Sequence, residues 1–230
     1  MQIVVLLDLL KKRTKWGGYP PITSVRRGEN MLFFQNFICA TIVFVAYHKL
    51  GYYSLFGILS ALSSYFKEKS RLRAEVLMVT KFGLPIGTLM CSKDDGWLPT
   101  DIAFTAEMQK LRLQYGSLIG YFGKFAVIPW LQGLAVGNQL LERAVTEWAL
   151  STGVEVAVMM VNPKHVRFYQ SHGAEVLARS QKTKGMEKAP AVLMIIDFRK
   201  SPKIQELQTE YKEWQSRQSV SEVGLEVFIS

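Results

Sequence analysis

The sequence predicts an α/β fold, a single domain in which one mixed β-sheet is flanked by helices. Three observations lead there. Short Val-, Leu- and Ile-rich runs alternate with amphipathic stretches through the middle of the chain. The run Val154–Val161 is uninterrupted β-type sequence, as expected of a central strand buried on both faces. Finally, 230 residues with 49% hydrophobic and 20% charged content suit one large core rather than a disordered tail or a coiled coil.

Residues 1–30 read as an N-terminal extension. Ile3–Leu10 is apolar but interrupted by Asp8, and the basic run Lys11-Lys12-Arg13 follows it, the reverse of a secretory signal. The segment suits an extra strand, a surface helix or an over-extended start, with Met31 as an alternative first residue. Leu32–Tyr47 is the most apolar stretch. At sixteen residues before His48 and Lys49, it falls short of the roughly twenty a membrane span needs. A buried helix or pocket wall is expected, no membrane span, and a cytoplasmic protein.

From Ser54 to Tyr65, Leu55, Ile58, Leu59 and Leu62 recur at helical spacing, ending in the polar run Lys67–Arg73. Ala74–Thr80 and Ile86–Cys91 are apolar runs joined by a short turn with Gly83, hence an antiparallel hairpin. Residues 101–114 read as a helix and Tyr121–Ile128 as a strand. Leu134, Leu140, Leu141, Ala144, Val145, Trp148 and Ala149 then form one helical stripe, closed by Gly153 as a C-terminal cap. After the Val154–Val161 strand come a short helix at His165–Ser171 and two strands, Val176–Arg179 and Ala191–Phe198. Ser201-Pro202 starts a last helix, with Pro at its first position and Ile204, Leu207, Tyr211 and Trp214 as its stripe. The expected division is an extension over 1–30, the main domain over 31–200, and a C-terminal amphipathic helix and tail over 201–230.

Composition excludes several function classes. Cys39 and Cys91 cannot build a disulfide framework or a structural zinc site. His48, His165 and His172 are too few and too badly spaced for a metal cage, so no metal is expected. The balance of 28 Lys and Arg against 19 Asp and Glu gives a net charge of +9. That charge favours an anionic partner. The basic residues are scattered and no reading motif accompanies them, which argues against nucleic acid.

Two segments carry the chemistry. Ala126–Gly137 passes from a strand directly into an amphipathic helix, with small residues at Gly133, Ala135 and Gly137. Such a turn leaves backbone N–H groups uncovered at the positive end of a helix dipole, a seat for phosphate or pyrophosphate, or else merely close packing. Val161–Ala174 leaves a buried strand, breaks at Asn162-Pro163, runs through a short helix and stops at Gly173.

Gln132, Gly133, Ala135 and Gly137, followed by Asn162, Phe168, Tyr169 and Gly173, resemble the layout of Gcn5-related (GNAT) acyltransferases. Ala135 stands where that family has its first loop glycine, a change expected to cost little. Gly123-Lys124-Phe125-Ala126-Val127, Val161–His165 with Phe168-Tyr169, and Ala189–Leu193 resemble the FeeM-type long-chain N-acyl amino acid synthases more specifically. Weaker echoes are Gly87-Thr88-Leu89, Gly96–Pro99, Phe104–Glu107, Leu111-Arg112 and Tyr47–Tyr52. The resemblance covers about residues 45–198 and implies the GNAT-like acyl-CoA N-acyltransferase fold, shared with acyl-homoserine-lactone synthases. The implied activity is transfer of a long acyl chain from acyl carrier protein to the α-amine of an amino acid. No permanently bound cofactor is implied, only an acyl-phosphopantetheine donor on carrier protein or CoA.

The resemblance also implies roles. Backbone N–H groups around Phe125–Val127 would hold the developing oxyanion, and Gln132, Gly133, Ala135 and Gly137 would seat the pantetheine arm. Tyr169 would be the general acid toward the leaving thiolate. Tyr121, a candidate catalytic position, stands where the family carries an acidic residue; if that carboxylate deprotonates the ammonium, this protein would use water, another residue or an altered amine, or be impaired. His165 would position the amine, act as base or pin the turn, and positioning fits best, because no carboxylate partner is identified. Asn162 would bond the turn or the pantetheine amides. The apolar residues of 32–65 would line an acyl tunnel. Lys124, Arg143, Lys164 and Arg167 would dock the acidic carrier protein. Two other readings remain at this level: an acetyltransferase using acetyl-CoA, and a non-catalytic lipid-binding relative.

Overall fold

A computed structural model describes residues 33–52, 54, 57–81, 84–132, 135–180 and 190–226; the expectations for residues 1–30 lie outside them. In chain order come α1 (Phe33–Lys49), α2 (Ile58–Arg71), β1 (Glu75–Lys81), β2 (Leu84–Lys93), α3 (Asp101–Tyr115) and β3 (Ile119–Val127). Then follow α4 (Val136–Arg143), α5 (Ala149–Thr152), β4 (Val156–Val161), α6 (Val166–Gln170), β5 (Glu175–Ser180), β6 (Ala191–Asp197) and α7 (Pro202–Glu226). The six strands form a mixed sheet in the order β1-β2-β3-β4-β6-β5.

Contacts divide the chain into two compact units, residues 1–92 with 122–141 and residues 93–121 with 142–230. In the first, β1 and β2 are the antiparallel hairpin expected from the sequence, with a bulge between Val79 and Thr80. Helix α1 packs on α2. Their apolar faces bury Cys39, Ile42, Val43, Phe44, Ala61, Leu62 and Tyr65. The described part of the Leu32–Tyr47 stretch is thus a helix buried along one face, with Phe34 and Phe37 exposed on the other. Gly87 on β2 is required by close approach: a Cβ there would sit 2.8 Å from Val136 Cγ1 and 3.1 Å from Leu140 Cδ1 of α4.

In the second unit the parallel ladder of β3 with β4 pairs Ile119–Tyr121 with Val156–Val158. Strand β4 also pairs antiparallel with β6 along its whole length, and both strands are almost wholly buried. This accounts for the uninterrupted apolar runs that code them. Gly153 ends α5 at φ 70°, donating to Ala149 O, as its place in the sequence predicts.

Two helices depart from expectation. The single helix expected over 134–149 is interrupted by a wide π-type turn at Ala144–Trp148. At its entrance the Thr146 hydroxyl donates to Glu142 O at 2.8 Å. In α7 the predicted stripe thins quickly, because Ile204 is 3% exposed while Trp214, stacked on Tyr211, is 50% exposed.

Candidate active site

The strand-to-helix turn lies in the first unit. Within β3, Lys124 adopts φ 49°, a left-handed conformation that interrupts the pleat and turns the local backbone amides. Phe125, half-buried, and Val127, buried, follow it. Beyond the strand the Ile128 N–H donates to Ile86 O at 3.0 Å, and Pro129–Leu131 makes one tight helical turn. The Gln132 side chain folds back, its Nε2 donating to Val127 O at 3.4 Å. Gly133 lies outside the described residues. Ala135 takes φ 59°, and α4 begins immediately after it, with Gly137 in its first turn. A side chain at this φ is strained by about 1–2 kcal/mol. The substitution of alanine for the loop glycine therefore does have a cost, contrary to the expectation above.

The second motif lies in the other unit. Asn162 leaves β4 in an extended conformation and its Oδ1 accepts from the Lys164 N–H at 2.8 Å. This satisfies one orphan donor of the Pro163–His165 turn. Helix α6 then carries Tyr169, 8% exposed, with its ring edge-on to Phe168 at 5.1 Å. Phe168 in turn meets the His172 ring at 4.8 Å, and His172 Nδ1 lies 2.8 Å from Phe168 O. Gly173 must be glycine on two counts: its φ is 86°, and a Cβ would sit 2.6 Å from Ser201 Oγ.

His165 lies on the exposed side of the turn. Partial desolvation, and after it the Lys164 ammonium, lowers its imidazole pKa, which favours the neutral ring near pH 7. Tyr121 is 5% exposed in β3, in register with Val158.

The basic residues divide into two kinds. Lys124 Nζ is ion-paired with Glu68 Oε2 at 2.8 Å, both side chains only 14% exposed, and Arg143 pairs with Glu147 at 2.8 Å. Neither is a free surface cation. Lys164 and Arg167 are exposed. Among the described residues no group of three His, Cys, Asp or Glu could hold a metal ion, and no helix is long and apolar enough to cross a membrane.

Glu68, the partner of Lys124, is a residue that the sequence did not single out. It sits in the run Lys67–Arg73, which resembles a solvated helix end. The available signal was its spacing, three residues after the buried Tyr65 and so on the same helix face.

With this geometry in place, comparisons with known proteins agree in one direction. Residues 58–197 match the family model described as N-acyl amino acid synthase FeeM. The fold is similar to that of FeeM, an N-acyl amino acid synthase from uncultured soil microbes, with a TM-score of 0.60 at 20% identity over 73% of this chain and 89% of that one. A Lactobacillus plantarum protein described as an N-acetyltransferase gives 0.50 at 19% identity, over 70% of this chain and 90% of its own. A Desulfovibrio desulfuricans protein described as a GNAT-family acetyltransferase gives 0.50 at 13% identity, over 72% and 94%. No curated protein matches the chain.

Proposed function

The chain belongs to the FeeM family of N-acyl amino acid synthases and is an N-acyltransferase, and on that premise we propose that it moves a long-chain acyl group from acyl carrier protein to the α-amine of an amino acid. One observation carries the reading: the backbone is left-handed at Lys124 within β3 and at Ala135 immediately before α4. Bends of this kind turn N–H groups out of the strand and helix ladders toward a ligand.

In this reading the amides around Phe125–Val127 stabilise the oxyanion, where preorganised donors act most strongly. Gln132, Gly133, Ala135 and Gly137, with the first turn of α4, seat the phosphopantetheine arm. Tyr169 protonates the departing thiolate. Asn162 holds the turn that carries Tyr169, and His165, neutral at pH 7, helps position the amine. Tyr121 carries no carboxylate, so its place is that of a wall rather than a base.

The apolar side chains of Ile42, Val43, Phe44 and Leu62 suit the acyl chain, and exposed Lys164 and Arg167 suit the acidic carrier protein. Residues 31–200 form the acyltransferase domain, with 1–30 an extension and 201–230 a terminal helix and tail. A cytoplasmic location follows from the donor. The test is competition between donors: with purified protein and one amino acid, a long-chain acyl carrier protein should give kcat/KM at least tenfold above that of acetyl-CoA. Preference for acetyl-CoA would replace this reading with that of an acetyltransferase.

A further inference from the structure

Seven side chains of the first unit form a polar cluster within a largely apolar interior. On α2, Tyr65, Glu68 and Lys69 stand three and four residues apart and share one face. Cys39 and Asn36 come from α1, Thr88 from β2 and Lys124 from β3. Tyr65 is 1% exposed, and Thr88 and Cys39 are wholly buried. Two contacts are complete: Lys69 Nζ donates to Asn36 Oδ1 at 2.5 Å, and Glu68 Oε2 receives Lys124 Nζ at 2.8 Å.

Three atoms of the cluster are buried with no hydrogen-bond partner: Tyr65 Oη, Thr88 Oγ1 and Glu68 Oε1. Burial pushes the Cys39 thiol up to about 11 and the Tyr65 hydroxyl up further, and the nearby Thr88 hydroxyl opposes both shifts. Thr88 thus faces both groups, yet the geometry completes no hydrogen bond to either. One orphaned polar group in a core is tolerable. Three on adjoining elements, beside the Lys69 and Lys124 ammonium groups, point to a ligand.

The chemistry of the orphans specifies that ligand. Glu68 Oε1 only accepts, so it needs a donor, best a cationic one. Tyr65 and Thr88 can donate, and Lys69 keeps two ammonium hydrogens after its bond to Asn36. A molecule with an ammonium at one end and a carboxylate at the other fits this set; a purely apolar chain does not.

We propose that this cluster seats the acceptor amino acid, with Glu68 receiving the proton of its ammonium group and Tyr65, Thr88 and Lys69 holding its carboxylate. The proposal rests on the N-acyl amino acid synthase reading and supplies the base that Tyr121 does not. In the step, the ammonium gives one proton to Glu68 Oε1 and its freed lone pair forms the C–N bond at the thioester carbonyl. The nitrogen loses its second proton as the C–S bond breaks, and that proton goes to the departing thiolate. Glu68 finally releases its proton to solvent, so one thioester and one ammonium give one amide, one thiol and one proton.

The experiment combines thermal shift with steady-state kinetics, each of the twenty protein amino acids being supplied singly with a long-chain acyl carrier protein. At least one amino acid should raise the Tm of the wild-type protein, and its N-acetyl and carboxamide forms should not. Glu68→Gln should lower kcat/KM for the amine about a hundredfold at pH 7, and the deficit should shrink toward pH 9.5 as free amine becomes available from solution. Tyr65→Phe and Thr88→Val, which remove an orphan without changing shape, should fold at least as stably as wild type, lose the amino-acid shift and raise the amine KM several-fold. Donor binding should be unchanged in all three. Product formed at unaltered kcat/KM and pH profile in the three variants would overturn the seat and leave the transferase reading intact. An amino-acid shift lost in the variants, without any acyl product from wild type, would keep the seat and overturn the transferase reading. No shift with any amino acid overturns the seat.

Discussion

The backbone nitrogen of Lys164 donates to the side-chain oxygen of Asn162 at 2.8 Å, so the asparagine of the Asn-Pro break closes the turn that leads to Tyr169. Removing a side-chain cap of this kind costs about 1 kcal/mol. Asn162→Ala should lose that much in urea unfolding, and Asn162→Asp, which keeps the acceptor, should recover most of it. An alanine variant as stable as wild type would remove the capping role.

Ala135 at φ 59° gives a prediction of opposite sign. Glycine adopts this conformation freely, so Ala135→Gly should stabilise the protein by about 1 kcal/mol, less whatever flexibility it adds to the unfolded chain. Equilibrium denaturation measures it, and a loss of stability would show the backbone there to be unstrained.

Arg112 bonds Asp94 at 2.7 Å and Asp101 at 2.6 Å, with the Asp94 side chain 3% exposed. Arg112→Met should cost about 2–3 kcal/mol at neutral pH, below the range for a fully buried pair because Arg112 is partly solvated. Burial raises the Asp101 carboxyl, but the Arg112 hydrogen bond, the Leu98 N–H and the Arg112 charge together bring it below the usual aspartate value. A depressed folded pKa contributes stability above the unfolded value, about 4, and that contribution is lost as pH falls through the folded pKa. The gap between wild type and variant should therefore be flat from pH 7 to about 5 and narrow below about 4. A gap independent of pH down to 2 contradicts the assignment.

Tyr169→Phe keeps the ring against Phe168, at 5.1 Å in wild type, and removes only the hydroxyl. If the hydroxyl protonates the thiolate, kcat should fall about a hundredfold, with the dissociation constant of the donor within a factor of two. An unchanged kcat takes Tyr169 out of the acid role and leaves it a packing residue.

Much of this architecture is written in local pattern. The hairpin, the buried β4 run, the Gly153 cap and the Pro202 helix start each follow from a few neighbouring residues, and all stand as expected. What stayed hidden depends on contacts distant in sequence. Lys124 and Glu68 both look like solvated charges, yet they pair with each other across 56 positions between β3 and α2. The π-type turn at Ala144–Trp148 is invisible because its residues keep the helical stripe of their neighbours. The stripe of α7 misleads in the other direction, since its spacing continues past the point where packing ends.

The most direct test of acyl transfer to an amino acid is mass spectrometry of a reaction holding purified protein, a long-chain acyl carrier protein and the twenty amino acids, with free thiol counted in parallel. The account predicts an N-acyl amino acid whose acyl group comes from the carrier, formed one for one with released thiol. Thiol release or lipid binding without any amide product would contradict it.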